Sequence, residues 1–157
     1  MVAAPCPPGP ELPAVRHPGR TAAWIAKQVE LGLDEVGLSL PQYRILGLLD
    51  AGPTISSALA DRLAVRPPSV TAVVDGLVVR GLVERHHSED DRRRVSHVLT
   101  ADGRRLLAAA DEAVDGRLAK IAACLPTERL AKRAVDDVAL WQQAMLAHRD
   151  SLAAGRA

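Results

Sequence analysis

Ser69 and Thr71 follow the Pro67-Pro68 pair, Arg66 precedes it, and Arg92, Arg93 and Arg94 stand together farther along the chain. Short hydroxyl side chains can bond base edges or phosphates. Guanidinium groups suit phosphates, and an arginine in a narrow minor groove gains from its enhanced negative potential. This is the chemistry of recognition, in which no bond is made or broken. The sequence has no phosphate-cradling glycine loop, no zinc motif, and no nucleophile with an evident base close by. The chain is therefore read as a non-enzyme without a cofactor.

Metal and redox chemistry find equally little support. His17, His86, His87, His97 and His148 are scattered, and adjacent His86 and His87 on a strand point to opposite faces. They read as ordinary surface histidines, some near phosphates, and no metal site is expected. Cys6 and Cys124 lie too far apart for the framework of a small secreted domain. Cys6 has no basic neighbour in sequence, and Cys124 falls at a helix end, where the dipole disfavours a thiolate.

The arginine run belongs to SEDDRRR, a segment too hydrophilic for anything but an exposed loop. Glu84, Glu89, Asp90 and Asp91 offset Arg85, Arg92, Arg93 and Arg94, so a self-neutralised hairpin is one reading. The other gives the loop two jobs: Asp91 pairs with Arg93 and sets the loop geometry, and the remaining arginines, with Arg85, face phosphates. An exposed ion pair contributes only about 0–1 kcal/mol, so stability alone is a weak reason for it. Ser69 also has two readings, a helix-terminal solvated hydroxyl or a base contact. The surrounding elements favour the contact.

Those elements follow from periodicity and caps. A helix starts near Thr21 and carries Trp24, Ile25, Val29, Leu31 and Leu33 before Gly37. Ser39 to Gln42 forms a capping box with proline in the first turn, opening a second helix that Gly52-Pro53 ends. Thr54 is expected to cap a third, short helix with Leu59 and Leu63. Ala64-Val65-Arg66 makes the turn, with Val65 expected to be buried beneath it. A fourth helix from Pro67 buries Val70, Val73, Val74, Leu77 and Val78 at steps of three and four, and Gly81 stops it. Leu82 to His87 and Val95 to Leu99 read as strands. Thr100 caps a long helix, and Thr127, after Pro126, caps a final one.

Helix, tight turn, helix and then a charged hairpin is the plan of a winged helix-turn-helix. The fold class is mainly α, with about six helices and a two- or three-stranded β-wing. The expected divisions are a proline-rich arm over 1–19, a helical dimerisation region over 20–37 and 101–157, and a DNA-binding lobe over 38–100. The terminal helices hold more apolar residues than a lone helix hides, which points to a dimer. Ile25, Leu118, Ile121, Leu140, Trp141 and Met145 are the expected interface residues.

With 157 residues, the chain can bury a real core. It has no Phe, one Tyr and two Trp, so that core is aliphatic. The net charge of +1 excludes a generally basic coat, and any DNA affinity must come from a local patch. No apolar run reaches membrane-spanning length and no secretory signal is recognisable, so the expected location is cytoplasmic, without a membrane partner.

The run from Ser39 to about Leu107 resembles the MarR family of winged-helix regulators. The matching segments are LSLPQYRILGLL, ALADRLAV, PPSVTAVVDGLVVRGLVER and DRRRVSHVLTADG. The family's Asp-x-Arg falls on Asp91 and Arg93, and its Leu-Thr-x-x-Gly falls on Leu99, Thr100 and Gly103. The resemblance implies a homodimeric repressor on double-stranded DNA at a palindromic operator, with one recognition helix in the major groove and one wing in the minor groove per subunit. It assigns DNA contact to Arg66, Pro67, Ser69, Thr71, Arg85, Arg92, Arg93 and Arg94. It also implies release by a small aromatic or anionic ligand bound between the dimer-forming helices and the DNA-binding lobe.

Trp24, Gln28, Tyr43 and Arg44 could line such a site, although Trp24 and Tyr43 could equally fill the core. The chain departs from the family in carrying Ala72 and Gly76 where members commonly have basic residues. Fewer phosphate contacts mean weaker binding and a shallower salt dependence. The alternative function is a winged-helix protein-interaction module with weak or no DNA binding.

Overall fold

A computed structural model describes residues 17–87 and 95–154. Six helices and three short strands run in the order α1 (Pro18–Asp34), α2 (Leu40–Asp50), β1 (Thr54–Ile55), α3 (Ser56–Leu63), α4 (Pro67–Val79), β2 (Val83–His87), β3 (Val95–Leu99), α5 (Ala101–Ala122) and α6 (Glu128–Ala154). Two compact units divide the chain. One runs from Ile25 to Val114; the other gathers the residues up to Trp24 and those from Asp115 onward. Helix α1 opens at Pro18, inside the stretch read as an extended arm, because a first-turn proline lacks only an N–H that would be unpaired anyway.

Aliphatic side chains fill the Ile25–Val114 unit. Leu33, Ile45, Leu46, Leu59, Val70, Val74, Leu77 and Leu99 are all buried. The capping box at α2 forms as expected: Gln42 N–H donates to Ser39 Oγ at 3.4 Å, and Ser39 N–H donates to Gln42 Oε1 at 3.0 Å. In α4, Val70, Val74 and Leu77 face inward, while Val73 and Val78 are half-buried. At Gly81 the backbone turns left-handed (φ +70°), and Leu82 N–H returns to Leu77 O at 3.0 Å. That bond keeps Leu82 out of the strand, so β2 starts at Val83.

Helix α3 ends in the same left-handed manner, but on an alanine. Ala64 has φ +54°, and Val65 N–H bonds Ala60 O at 3.1 Å. The turn lifts Val65 outward, to 41% exposure, where burial was expected. Thr54 does not cap α3 either. It lies in β1, its hydroxyl donates to Gly52 O at 3.1 Å, and Ile55 takes the cap position without a side-chain bond. Pairing with β3 draws Thr54 away: the antiparallel sheet has the order β1-β3-β2, with Thr54 opposite His97 and Arg85 opposite His97 on the other side.

In the other unit Ala122 is buried and Leu118 is half-buried. Thr127 caps α6, accepting from Leu130 N–H at 3.3 Å. No helix among the described residues is long and apolar enough to cross a membrane.

Candidate nucleic-acid interface

The first turn of α4 sets what this surface can offer. Pro67 and Pro68 occupy its opening positions and have no N–H, and Ser69 N–H donates to Arg66 O at 3.0 Å. Backbone donors that usually make a helix N-terminus attractive to phosphate are thus largely absent or used. Side chains must replace them. Arg66, Pro67, Ser69 and Thr71 are all exposed on this end of the helix. Thr71 Oγ1 donates to Pro67 O at 3.2 Å, which leaves its oxygen as an acceptor only. The Ser69 hydroxyl has no such bond.

Beyond this turn the exposed face continues through Ala72, Asp75 and Val79, with no basic side chain before Arg80. Arg80 itself reaches back to α2, donating to Gln42 Oε1 at 3.3 Å. Asp75 is taken up by Arg85 of β2, so the recognition helix and the wing are joined by an ion pair. Arg85, expected to meet phosphate, is therefore neutralised in part. The expected Asp91–Arg93 pair, and Arg92 and Arg94, lie outside the described residues; the strands flanking them end on the His87–Val95 pair.

His97 is a residue that the sequence reading placed on the surface and the structure buries, at 3% exposure. Its Nε2 lies 2.8 Å from Ser56 Oγ of α3, and its Nδ1 has no partner among the described residues. Burial lowers its pKa; Arg85 lowers it further, and Asp75 opposes them. A signal was available: Val95, His97 and Leu99 share one strand face, and Leu99 is apolar. His97 thus holds β3 to the start of α3, and through Arg85 it senses the charge of the wing.

The four residues expected to line a ligand site do not converge on one cavity. Trp24 is 78% exposed and belongs to a different unit from Gln28, Tyr43 and Arg44. Gln28 is half-buried. The Tyr43 hydroxyl donates to Asp111 of α5. Arg44 lines a cavity beside α4 in which none of the other three takes part. Of the expected dimer residues, Ile25, Ile121, Leu140, Trp141 and Met145 are exposed and Leu118 is half-buried. No group of three or more potential metal ligands occurs among the described residues.

A family model described as MarR family matches residues 36–94. The HTH-type transcriptional repressor Rv2887 of Mycobacterium tuberculosis (strain H37Rv) is 33% identical over 120 residues, covering 74% of this chain and 86% of that relative. The chain belongs to the MarR family. Two structures of CouR are among its neighbours. The repressor bound to a 23-mer DNA duplex superposes with a TM-score of 0.67 and 30% identity, covering 82% of this chain and 88% of that one. CouR from Rhodococcus jostii RHA1 bound to p-coumaroyl-CoA gives 0.64 and 25%, covering 82% and 85%.

As a MarR-family member, the protein is a winged helix-turn-helix, DNA-binding transcriptional regulator and not an enzyme. The geometry gives the family's Leu-Thr-x-x-Gly motif a physical meaning. Thr100 Oγ1 donates to Gly81 O at 2.9 Å and accepts from Gly103 N–H at 2.9 Å. Thr100 N–H donates to Leu82 O at 3.1 Å. A side chain at position 103 would overlap the Leu82 carbonyl oxygen. The motif therefore clamps the end of α4, the root of β2 and the start of α5 together, fixing the wing relative to the recognition helix.

Proposed function

We propose that this MarR-family protein is a homodimeric repressor of a palindromic operator and that a small ligand relieves the repression. The observation that carries the reading is the first turn of α4. Arg66, Ser69 and Thr71 stand exposed there, on a helix tied to its wing through Asp75 and Arg85. Repression also follows the relatives: Rv2887 and CouR are named as repressors, and CouR is known bound both to duplex DNA and to p-coumaroyl-CoA.

In this reading, Ser69 and Thr71 contact bases or adjacent phosphates in the major groove, Arg66 contacts a phosphate, and Arg92, Arg93 and Arg94 serve the wing. Residues 38–100 act as the DNA-binding lobe, while 20–37 and 101–157 supply the dimer. Exposure of Leu140 at 58%, Trp141 at 68% and Met145 at 62% on α6 supports association through that helix. Two-fold symmetry of the dimer would match a palindromic site.

Genome-fragment capture with purified protein, followed by salt-titrated binding, tests the reading. Enrichment of one palindrome with affinity falling as salt rises is the expected result. A well-folded dimer that enriches nothing overturns it. That outcome would favour a protein-contact module, to which Asp75, Ala72 and Gly76 on the exposed face of α4 lend some support.

A further inference from the structure

Beside the first turns of α4 lies a cavity of about 210 Å³. Leu40 and Ile45 of α2 form one wall, Val65 closes the end at the turn, and Val70 and Val73 of α4 form the other. Two polar groups complete its lining: the guanidinium of Arg44 and the hydroxyl of Ser69. Among the described residues Arg44 has no carboxylate partner. The lining is otherwise aliphatic, so water there finds few hydrogen-bond partners. Such a place favours an apolar body with a single anionic group.

Size and charge narrow the occupant. A cavity of about 150 Å³ holds a benzene molecule, so this one admits a single ring with a substituent. An unpaired guanidinium prefers a carboxylate, which it can hold through two parallel bonds. We propose that the cavity binds a monocyclic aromatic carboxylate, with its ring among Ile45, Val65, Val70 and Val73 and its carboxylate on Arg44. The exposure of Val65 is then the open edge of a binding site. Trp24, Gln28 and Tyr43 take no part.

The position of Ser69 gives the site a consequence, which rests on the repressor reading above. Ser69 lines the cavity and also stands on the DNA-facing turn of α4. A ligand that occupies the Ser69 hydroxyl withdraws it from DNA. Ligand and operator then oppose each other, and each weakens the other by the same factor.

Methyl NMR of the full chain with millimolar benzoate tests the site without DNA. The expected result is shifts concentrated at Val65, Val70 and Val73. Benzamide, neutral and of the same shape, should bind about tenfold more weakly, and Arg44→Gln should reduce benzoate to the benzamide level. Unmoved methyls, shifts centred elsewhere, or equal binding of benzamide overturn the proposal. The second arm measures affinity for captured genomic fragments with and without benzoate. Benzoate should weaken the native protein and leave Arg44→Gln unaffected. If DNA binding is intact and the methyls stay still, the cavity proposal alone fails. If the methyls shift but no fragment is ever bound, the repressor reading fails, and the competition with it.

Discussion

Arg85, on the first strand of the wing hairpin, is paired with Asp75, on the exposed face of the recognition helix. The carboxylate that helps to orient the wing is thus also a negative charge on the surface meant for DNA. Both side chains are about half exposed, at 43% and 51%. Their pair contributes little to stability, about 0–1 kcal/mol. Its larger effect is on where Arg85 points and how much positive charge remains for phosphate.

Replacing Asp75 with Asn should therefore leave the thermal midpoint nearly unchanged and strengthen binding to random-sequence duplex. The freed Arg85 adds about one phosphate contact, so the slope of log affinity against log salt becomes steeper by about one unit. Fluorescence anisotropy across a salt series reads this directly. An unaltered slope would mean that Arg85 never reaches the backbone.

Ser69 and Thr71 look equivalent in sequence but differ in what their hydroxyls can do. The Thr71 proton is committed to Pro67 O, whereas Ser69 is free to donate and accept. Ser69→Ala should weaken binding to captured operator DNA by about three- to tenfold, the equivalent of one hydrogen bond of about 0.5–1.5 kcal/mol. Thr71→Val should cost less. Competition binding of the two variants decides the order, and a greater loss at Thr71 would reverse the assignment.

Acid should destabilise the lobe through His97. Its folded pKa lies below the ordinary 6.5, because of burial first and Arg85 second. At neutral pH both folded and unfolded chains hold it uncharged, and it contributes no pH dependence. Below about 6.5 the unfolded chain takes up a proton that the folded one resists, so stability falls until pH reaches the lowered value. Urea midpoints at about pH 7 and pH 5 should differ more for the native protein than for His97→Gln. Equal differences would mean that His97 is not the group responsible.

Two glycines separate space from conformation. A methyl at Gly103 meets the Leu82 carbonyl oxygen, a backbone atom that cannot swing away, while a methyl at Gly76 meets nothing within 4 Å. Gly103→Ala should destabilise by about 1–3 kcal/mol, at the upper end of overpacking costs. Gly76→Ala should stabilise by roughly 1 kcal/mol from helix propensity. Thermal or urea denaturation of the two variants gives opposite signs if the clamp at Thr100 is as described.

Much of this architecture was legible in the sequence because it is encoded within a few residues. Ser39 and Gln42 cap each other across one helical turn, and Thr100 and Thr127 cap the two long C-terminal helices in the same way. Gly81 stops α4 through its own backbone freedom. The step of three and four through Val70, Val74 and Leu77 declares the buried face of α4 without reference to its neighbour. The MarR motifs were readable for the same reason.

The tertiary structure decided the rest. Thr54 has the chemistry of a cap, yet pairing with β3 makes it a strand residue, because backbone bonds to a distant strand replace the local one. Arg44 and Tyr43 are neighbours in sequence, but successive helical residues point about 100° apart. One reaches the cavity beside α4 and the other bonds Asp111 of α5. Likewise, nothing near His97 announces Ser56 or Arg85. Periodicity and caps act over one or two turns and can be read from the chain. Which faces meet is set by burial of the whole aliphatic core, and that is visible only once the core has formed.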